Sequence, residues 1–143
     1  MTRYVLMSFK PLFAYKILGK AMDCEVRTYF GEIREGDIVL VYASSPIKAI
    51  LGYFKAGKSF TGTYKTIVEI LKRECMMFDE DNWNFIKRYQ HSKRKLLLLK
   101  IREPVKLKNP ISLHELRRTY GVKQPPRSYS IVEFNVGEVT KVK

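Results

Sequence analysis

Hydrophobic and polar residues alternate along several short stretches of the chain, as they do in strands with one buried face. Tyr4 to Phe9 has this pattern, and Ile38 to Ala43 is apolar almost throughout, which predicts a central strand. Four further stretches favour strands: Cys24 to Phe30, Ile47 to Lys58, Lys95 to Arg102 and Tyr129 to Val136. The pattern therefore predicts about six strands.

Helical signals lie between these strands. Pro11 suits the first turn of a helix because its missing N–H has no partner there in any case, and Gly19 is a typical helix stop. Capping-box spacing at Thr66–Glu69 and Ser112–Glu115, with possible N-caps at Asp79–Asp81, predicts further helices. Strands dominate both ends of the chain, so we expect an α+β fold: a small, closed or nearly closed β-barrel with helices packed outside, in one domain over residues 1–143.

Glu25 and Arg27 are the first candidate site residues. They lie two positions apart in a predicted strand and therefore face the same side. Lys10 and Lys20 flank the ends of the preceding helix. A buried charge is costly unless it is paired or used. This cluster is therefore either a pocket for a nucleotide base or phosphate, or a structural pair that orients the helix on the barrel.

The order of these signals resembles the ASCH domains of the PUA-like superfamily, and small archaeal PUA-like proteins are similar over the same span. The resemblance rests on Ser8, Lys10, Pro11, Ile17, Leu18, Gly19, Lys20, Glu25 and Arg27. It implies a barrel of that class, with a ligand cleft lined by Lys10, Lys20, Glu25 and Arg27. Tyr42, Ser44 and Ser45 lie next along the same architecture and are candidate contacts for an unstacked base, although a strand aromatic is more often part of the core.

The charge distribution points to a polyanionic partner. The chain has 27 Lys and Arg residues against 14 Asp and Glu, a formal net charge of +13. Residues 87–127 hold 13 basic and two acidic side chains, whereas residues 1–86 hold 12 and ten. Such a concentration is typical of nucleic-acid binding, and the alternative is a lysine-rich solvated surface. We expect nucleic acid, with RNA favoured, to contact Lys87, Arg88, Lys93, Arg94, Lys95, Arg117, Arg118, Lys123 and Arg127.

Two other functions remain open. Some small ASCH proteins hydrolyse acylated cytidine, and in such an enzyme Lys20 and Glu25 would form the proton-transfer pair. That pattern includes a threonine soon after the lysine, whereas here Thr28 follows the glutamate, which counts against this activity. A DNA-binding transcriptional regulator using the helix at residues 112–120 is the other alternative. The two histidines lack partners at catalytic or metal spacing, so we expect no metal and no cofactor.

The cysteines, the apolar runs and the start of the chain indicate the cellular compartment of the protein. Cys24 and Cys75 are too few and too far apart for a disulfide scaffold, so we expect two reduced thiols. No apolar run approaches the roughly 20 residues that a membrane span requires. The start of the chain enters a strand at once, without the layout of a signal peptide. These features predict a cytoplasmic protein that does not cross a membrane.

Overall fold

The structure of the protein, a computed structural model, describes residues 2–132. Within that range it has six strands and four helices, which confirms the α+β prediction. The predicted end of the last strand, residues 133–136, lies outside the described residues. In chain order the elements are β1 (Tyr4–Phe9), α1 (Pro11–Leu18), β2 (Cys24–Thr28), β3 (Ile38–Ala43), β4 (Ala49–Gly62), α2 (Tyr64–Glu74), α3 (Glu80–Lys87), β5 (Leu96–Ser112), α4 (Leu113–Thr119) and β6 (Tyr129–Val132).

All six strands form one mixed sheet with the order β2-β5-β4-β3-β1-β6. β1 and β3 are parallel, and the other neighbouring pairs are antiparallel. The sheet forms a half-barrel, and side chains rather than a backbone ladder join its edges, β2 and β6, over the described residues. The Tyr129 hydroxyl accepts a hydrogen bond from the Phe30 N–H and donates one to the Gly31 carbonyl, both at 2.8 Å.

The period-two alternation of the strands separates three hydrophobic cores. In β3, Val39 and Val41 face the inner core, which α1 covers, while Leu40 and Tyr42 face a second core that includes Leu116 of α4. In β5, alternate residues of Leu96–Leu99 face the inner core and a third core beneath α2 and α3. Because both faces of the sheet are covered here, the sequences of these strands are continuously apolar and do not alternate between apolar and polar residues.

Helix α1 lies closely on the sheet because its neighbour in β4, Gly52, has no side chain. Pro11 occupies its first turn, and Ala14, Ile17 and Leu18 are buried against the inner core. A Cβ atom on Gly52 of β4 would lie 2.3 Å from the Val105 carbonyl oxygen and 2.7 Å from a Leu18 methyl carbon. Only glycine fits there without a shift of backbone, so Gly52 sets the distance between α1, β4 and β5.

Strand β5 is 17 residues long and continues ten residues past the predicted end at Arg102. This part of β5 contains Pro104 and Pro110, which cannot donate to a ladder. In the structure, β2 pairs only with residues 96–100 of β5, so the later part of β5 has a neighbour on one side, β4. An edge position tolerates proline, and the β4–β5 register shifts at three places along the pair.

At two of the three predicted positions, a side chain caps the first turn of a helix. The Asp79 carboxylate accepts from the Asn82 N–H at the start of α3, and the Ser112 hydroxyl accepts from the Glu115 N–H at the start of α4. The capping box at Thr66 is wrong, because α2 begins at Tyr64 with Thr63 as its N-cap. Thr66 already lies within the first turn.

Cys24 and Cys75 form a disulfide, so the prediction of two reduced thiols is wrong for this structure. The residues are 51 positions apart in sequence, but their Cα atoms are 6.0 Å apart. The first residue of β2 meets the end of α2 because both belong to the third core, where α2 packs over β4 and β5. Two backbone N–H groups, of Met76 and Met77, bind the Asp23 carboxylate at 2.9 Å and hold the same loop.

The longest helix among residues 2–132, α2, has 11 residues. None of the helices in this range is long and apolar enough to cross a membrane, which would take about 20 apolar residues.

Candidate functional site

A cleft of about 860 Å³ opens between the N-terminal end of α1, the ends of β1 and β2, helix α3 and the segment before β6. Aromatic side chains form much of its surface, with Phe13 from α1, Phe30 from the turn after β2, and Phe85 and Tyr89 from α3 and the turn after it. The rings of Phe85 and Tyr89 are 5.7 Å apart and tilted towards each other. A volume of this size holds a nucleotide-sized ligand.

The floor of the cleft is polar, because Glu25 and Arg27 of β2 face the inside of the half-barrel. Both Nε and Nη2 of Arg27 donate to the Glu25 Oε2 atom, at 3.2 and 3.1 Å. The Val26 N–H donates to the Glu25 Oε1 atom at 3.2 Å. Glu25 is buried and nevertheless lines the cleft.

Arg27 uses its whole guanidinium group within the protein. Beyond the two bonds to Glu25, its Nη2 atom donates to the Ser8 carbonyl at 2.6 Å, and its Nη1 atom donates to the Ser128 carbonyl and hydroxyl at 3.3 and 3.2 Å. The guanidinium carbon also lies 4.6 Å from the centre of the Phe9 ring. Arginine has five N–H donors, and these five bonds account for all of them. Arg27 therefore ties β2 to β1 and to the segment before β6.

Burial raises the pKa of Glu25 above its ordinary value of 4.5, and the positive charge of Arg27 and its hydrogen bonds oppose that rise. The Asp79 carboxylate raises the pKa of Glu25 slightly further. The Glu25 carboxyl group therefore holds its proton more tightly than an exposed glutamate does.

The mouth of the cleft combines exposed aromatic and basic side chains. Phe30 is 59% exposed, its ring lies edge-on to Tyr129, and the Arg94 guanidinium is 5.5 Å from the ring centroid. At α3, Arg88 lies 5.9 Å from the centre of the Phe85 ring. These are distances at which cation–π attraction operates.

Four of the seven predicted cleft residues line this cleft: Lys10, Glu25, Arg27 and Ser44. Lys20, Tyr42 and Ser45 do not line it, which corrects their predicted positions. Tyr42 is buried in the second core, on the other face of β3, and Ser45 is an exposed turn residue. Lys20 follows the C-terminal end of α1, whereas the cleft is at the N-terminal end, a separation of about 12 Å for an eight-residue helix.

The predicted basic segment divides between two faces of the sheet. Arg88 and Arg127 line the cleft, and Arg94 and Lys95 contact aromatic rings beside it, Lys95 at 4.1 Å from the Tyr29 ring. Lys87 and Lys93 are exposed residues of the same α3–β5 segment. The remaining three predicted contacts lie with α4 on the side of the second core, away from the cleft: Arg117, Arg118 and Lys123.

Several cleft residues were absent from the sequence prediction. Phe30 was assigned to a strand, but it lies just past β2 in a turn, and an aromatic residue before Gly31 in a turn-rich connector was the available signal. Asn82 and Asn84 belong to α3, whose place beside α1 nothing in the local sequence reveals. The sulfur atoms of Cys24 and Cys75 lie near the Asp23 carboxylate, but as a disulfide they offer no thiolate to a metal ion.

The fold is similar to that of solved ASCH domain structures, as predicted. The crystal structure of ASCH from Zymomonas mobilis is similar, with a TM-score of 0.76, 22% identity and coverage of 96% of this chain and 91% of that chain. The N-terminal domain of Staphylothermus marinus McrB is also similar, with a TM-score of 0.52, 13% identity and coverage of 94% and 90%. No protein-family model and no curated protein matches the sequence. At these identities the similarity establishes the fold alone.

Proposed function

We propose that the protein binds single-stranded nucleic acid, with RNA as the favoured ligand, and receives one unstacked base in the cleft. The observation that carries this proposal is Phe30, a large aromatic residue that is 59% exposed at the mouth of the cleft. Arg94 lies against the same ring. An open aromatic ring beside a cation suits base stacking combined with phosphate contact.

The charges around the cleft support the same ligand. Lys10, Arg88 and Arg127 are exposed and line it, and Arg94 and Lys95 stand beside it. Cations at such positions neutralise phosphates and release the counterions condensed on a nucleic-acid strand. RNA is favoured because recognition of RNA generally targets unpaired bases that stack on aromatic side chains.

The two alternative functions receive less support. Proton transfer between Lys20 and Glu25 requires the two side chains to meet, and Lys20 lies beyond the far end of α1 from the cleft. Duplex reading by α4 would rest on a helix of seven residues, and the Arg117 Nε atom donates to the Lys123 carbonyl at 2.8 Å.

Substituting Phe30→Ala should weaken binding of a fluorescein-labelled, ten-nucleotide RNA by roughly 10- to 100-fold, because a stacked base contributes about 1–3 kcal/mol. Fluorescence anisotropy at about 50 mM salt measures this, a concentration at which phosphate contacts remain strong. Tyr15→Ala is the matched control, since Tyr15 is 53% exposed on α1 but does not line the cleft. Equal affinity of wild type and Phe30→Ala would contradict stacking at this position.

Removing two cations beside the cleft should affect binding more than removing two on the α4 side. We expect Arg94→Ala with Arg127→Ala to reduce the slope of log affinity against log salt concentration by about 1.4, near 0.7 for each phosphate contact with a single strand. Arg118→Ala with Lys123→Ala removes the same charge from exposed positions on the other face and should leave the slope nearly unchanged. Equal slopes for the two double variants would mean that net charge, not the cleft, governs binding.

A further inference from the structure

The Glu25–Arg27 pair at the floor of the cleft also bears on which base can enter. Arg27 is the group that would ordinarily recognise a base carbonyl or a phosphate. Its five N–H donors are already bound to acceptors on Glu25, Ser8 and Ser128, at 2.6–3.3 Å. A ligand could bind Arg27 only by displacing bonds that join three parts of the half-barrel.

Glu25, by contrast, retains capacity to accept. A carboxylate offers about four lone-pair positions. Arg27 occupies the two on Oε2, and the Val26 N–H occupies one on Oε1. About one acceptor position therefore remains on Oε1, and Glu25 is among the residues that line the cleft.

Arg27 also holds this acceptor in a fixed orientation. Two bonds from one guanidinium to one carboxylate oxygen restrict the rotation of the Glu25 side chain, and the backbone bond to Oε1 restricts it further. The side chain is 7% exposed, so water competes weakly for the remaining lone pair. A fixed and nearly dry acceptor discriminates strongly, because a ligand without a donor at that point leaves it unpaired.

From this geometry we infer that the cleft selects bases that present an exocyclic amino group, and that Glu25 is the residue that determines this selectivity. The inference rests on the proposed function. Cytosine carries an amino group at C4, where uracil carries a carbonyl oxygen that would oppose the carboxylate. The N3–H of uracil lies between two carbonyl oxygens, so its approach to Glu25 brings at least one of them towards the negative charge.

Neither Asn82 nor Lys10 offsets this preference at the floor. The Asn82 Nδ2 atom is engaged by the Asp79 carboxylate and the Met22 sulfur, at 3.0 and 3.4 Å. Lys10 could donate to a base carbonyl, but it is exposed at the N-terminal end of α1. Its position suits a phosphate or a sugar hydroxyl outside the floor.

The test compares two labelled RNA strands of ten nucleotides, oligocytidine and oligouridine. These pyrimidines are similar in size and differ at the C4 edge, in the exchange of an amino group for a carbonyl and in the proton at N3. We expect wild-type protein to bind oligocytidine about tenfold more tightly or better, the scale of discrimination by base-edge contacts. Glu25→Gln should bring the ratio towards one, because a carboxamide can both donate and accept.

Asp81→Asn is the matched control, because Asp81 is an exposed acid that also lines the cleft. It removes the same charge, so it should change both affinities together and leave their ratio intact. If Glu25→Gln fails to fold, competition of free cytidine and free uridine against labelled RNA on the wild-type protein tests the base preference itself, and equal competition would overturn it.

The outcomes separate the two proposals. If wild-type protein binds neither strand better than the Arg94→Ala, Arg127→Ala variant does, the proposed function fails. If it binds both strands equally well and Phe30→Ala weakens both, the proposed function stands and the amino-group selectivity is wrong. A preference for oligocytidine that survives Glu25→Gln would remove Glu25 as its source.

Discussion

Replacing Arg27 with methionine should lower the free energy of unfolding by about 3–5 kcal/mol, the usual cost of leaving one partner of a buried ion pair alone. The substitution removes every hydrogen bond of the Arg27 side chain, so the Glu25 carboxylate and the Ser8 and Ser128 carbonyls together lose the bonds that Arg27 donates to them. Urea denaturation at pH 7, followed by circular dichroism, measures the change.

Two controls identify the cause. In Arg27→Met combined with Glu25→Gln, no unpaired charge remains, so part of the lost stability should return. Arg34→Met removes an exposed ion pair in which Arg34 and Glu32 are 60% and 63% exposed, and this should cost less than about 1 kcal/mol. If Arg27→Met were as stable as Arg34→Met, the connection between the edges of the half-barrel would not depend on Arg27.

The cost of Arg27→Met should also depend on pH. Because the folded-state pKa of Glu25 is raised, its contribution to stability is fully present below its ordinary value of 4.5 and is lost as the pH rises through the raised value. Removing the positive charge of Arg27 raises that pKa further. The difference between wild type and Arg27→Met should therefore shrink as the pH falls from 7 towards 4.5, through the two raised pKa values, and a difference independent of pH would argue against an unpaired Glu25 carboxylate.

Loss of the disulfide should have a comparable effect on stability. For cysteines 51 residues apart, the chain-entropy model predicts that Cys75→Ser lowers the free energy of unfolding by about 4 kcal/mol under oxidising conditions. Urea denaturation with and without dithiothreitol measures this effect. The reductant should destabilise the wild-type protein to about the level of the variant and should leave the variant unchanged.

Trp83 gives a local readout of the same change. It is the single tryptophan of the chain and belongs to α3, where its ring packs edge-on against Phe78 at 5.6 Å in the third core, which also contains Cys24 and Cys75. If the disulfide holds α3, reduction should shift tryptophan emission to longer wavelength before global unfolding. Wild-type unfolding curves that coincide with and without reductant would show that the two cysteines do not form the disulfide in solution.

The elements of the fold could be predicted where local chemistry determines them. β1 and β3 follow from short apolar patterns, α1 from a proline and a glycine at its ends, and α4 from the Ser112 cap. The shared face of Glu25 and Arg27 also follows from strand geometry alone. Errors arose where a distant neighbour decides the outcome, as in β5, whose prolines are tolerated because β2 does not extend alongside them.

For the candidate site too, some features could be predicted from the sequence and others could not. The sequence by itself determined that a carboxylate and a guanidinium face one side of a strand and that positive charge concentrates in residues 87–127. Only the tertiary structure decided that every N–H of the Arg27 guanidinium is bonded within the protein and that Cys24 meets Cys75. It also decided that Lys10 rather than Lys20 reaches the cleft, and that the basic residues of α4 lie on the other face of the sheet. The physical reason is that periodicity and capping act within a few residues, whereas these contacts join residues that only the packing of helices on the sheet brings together.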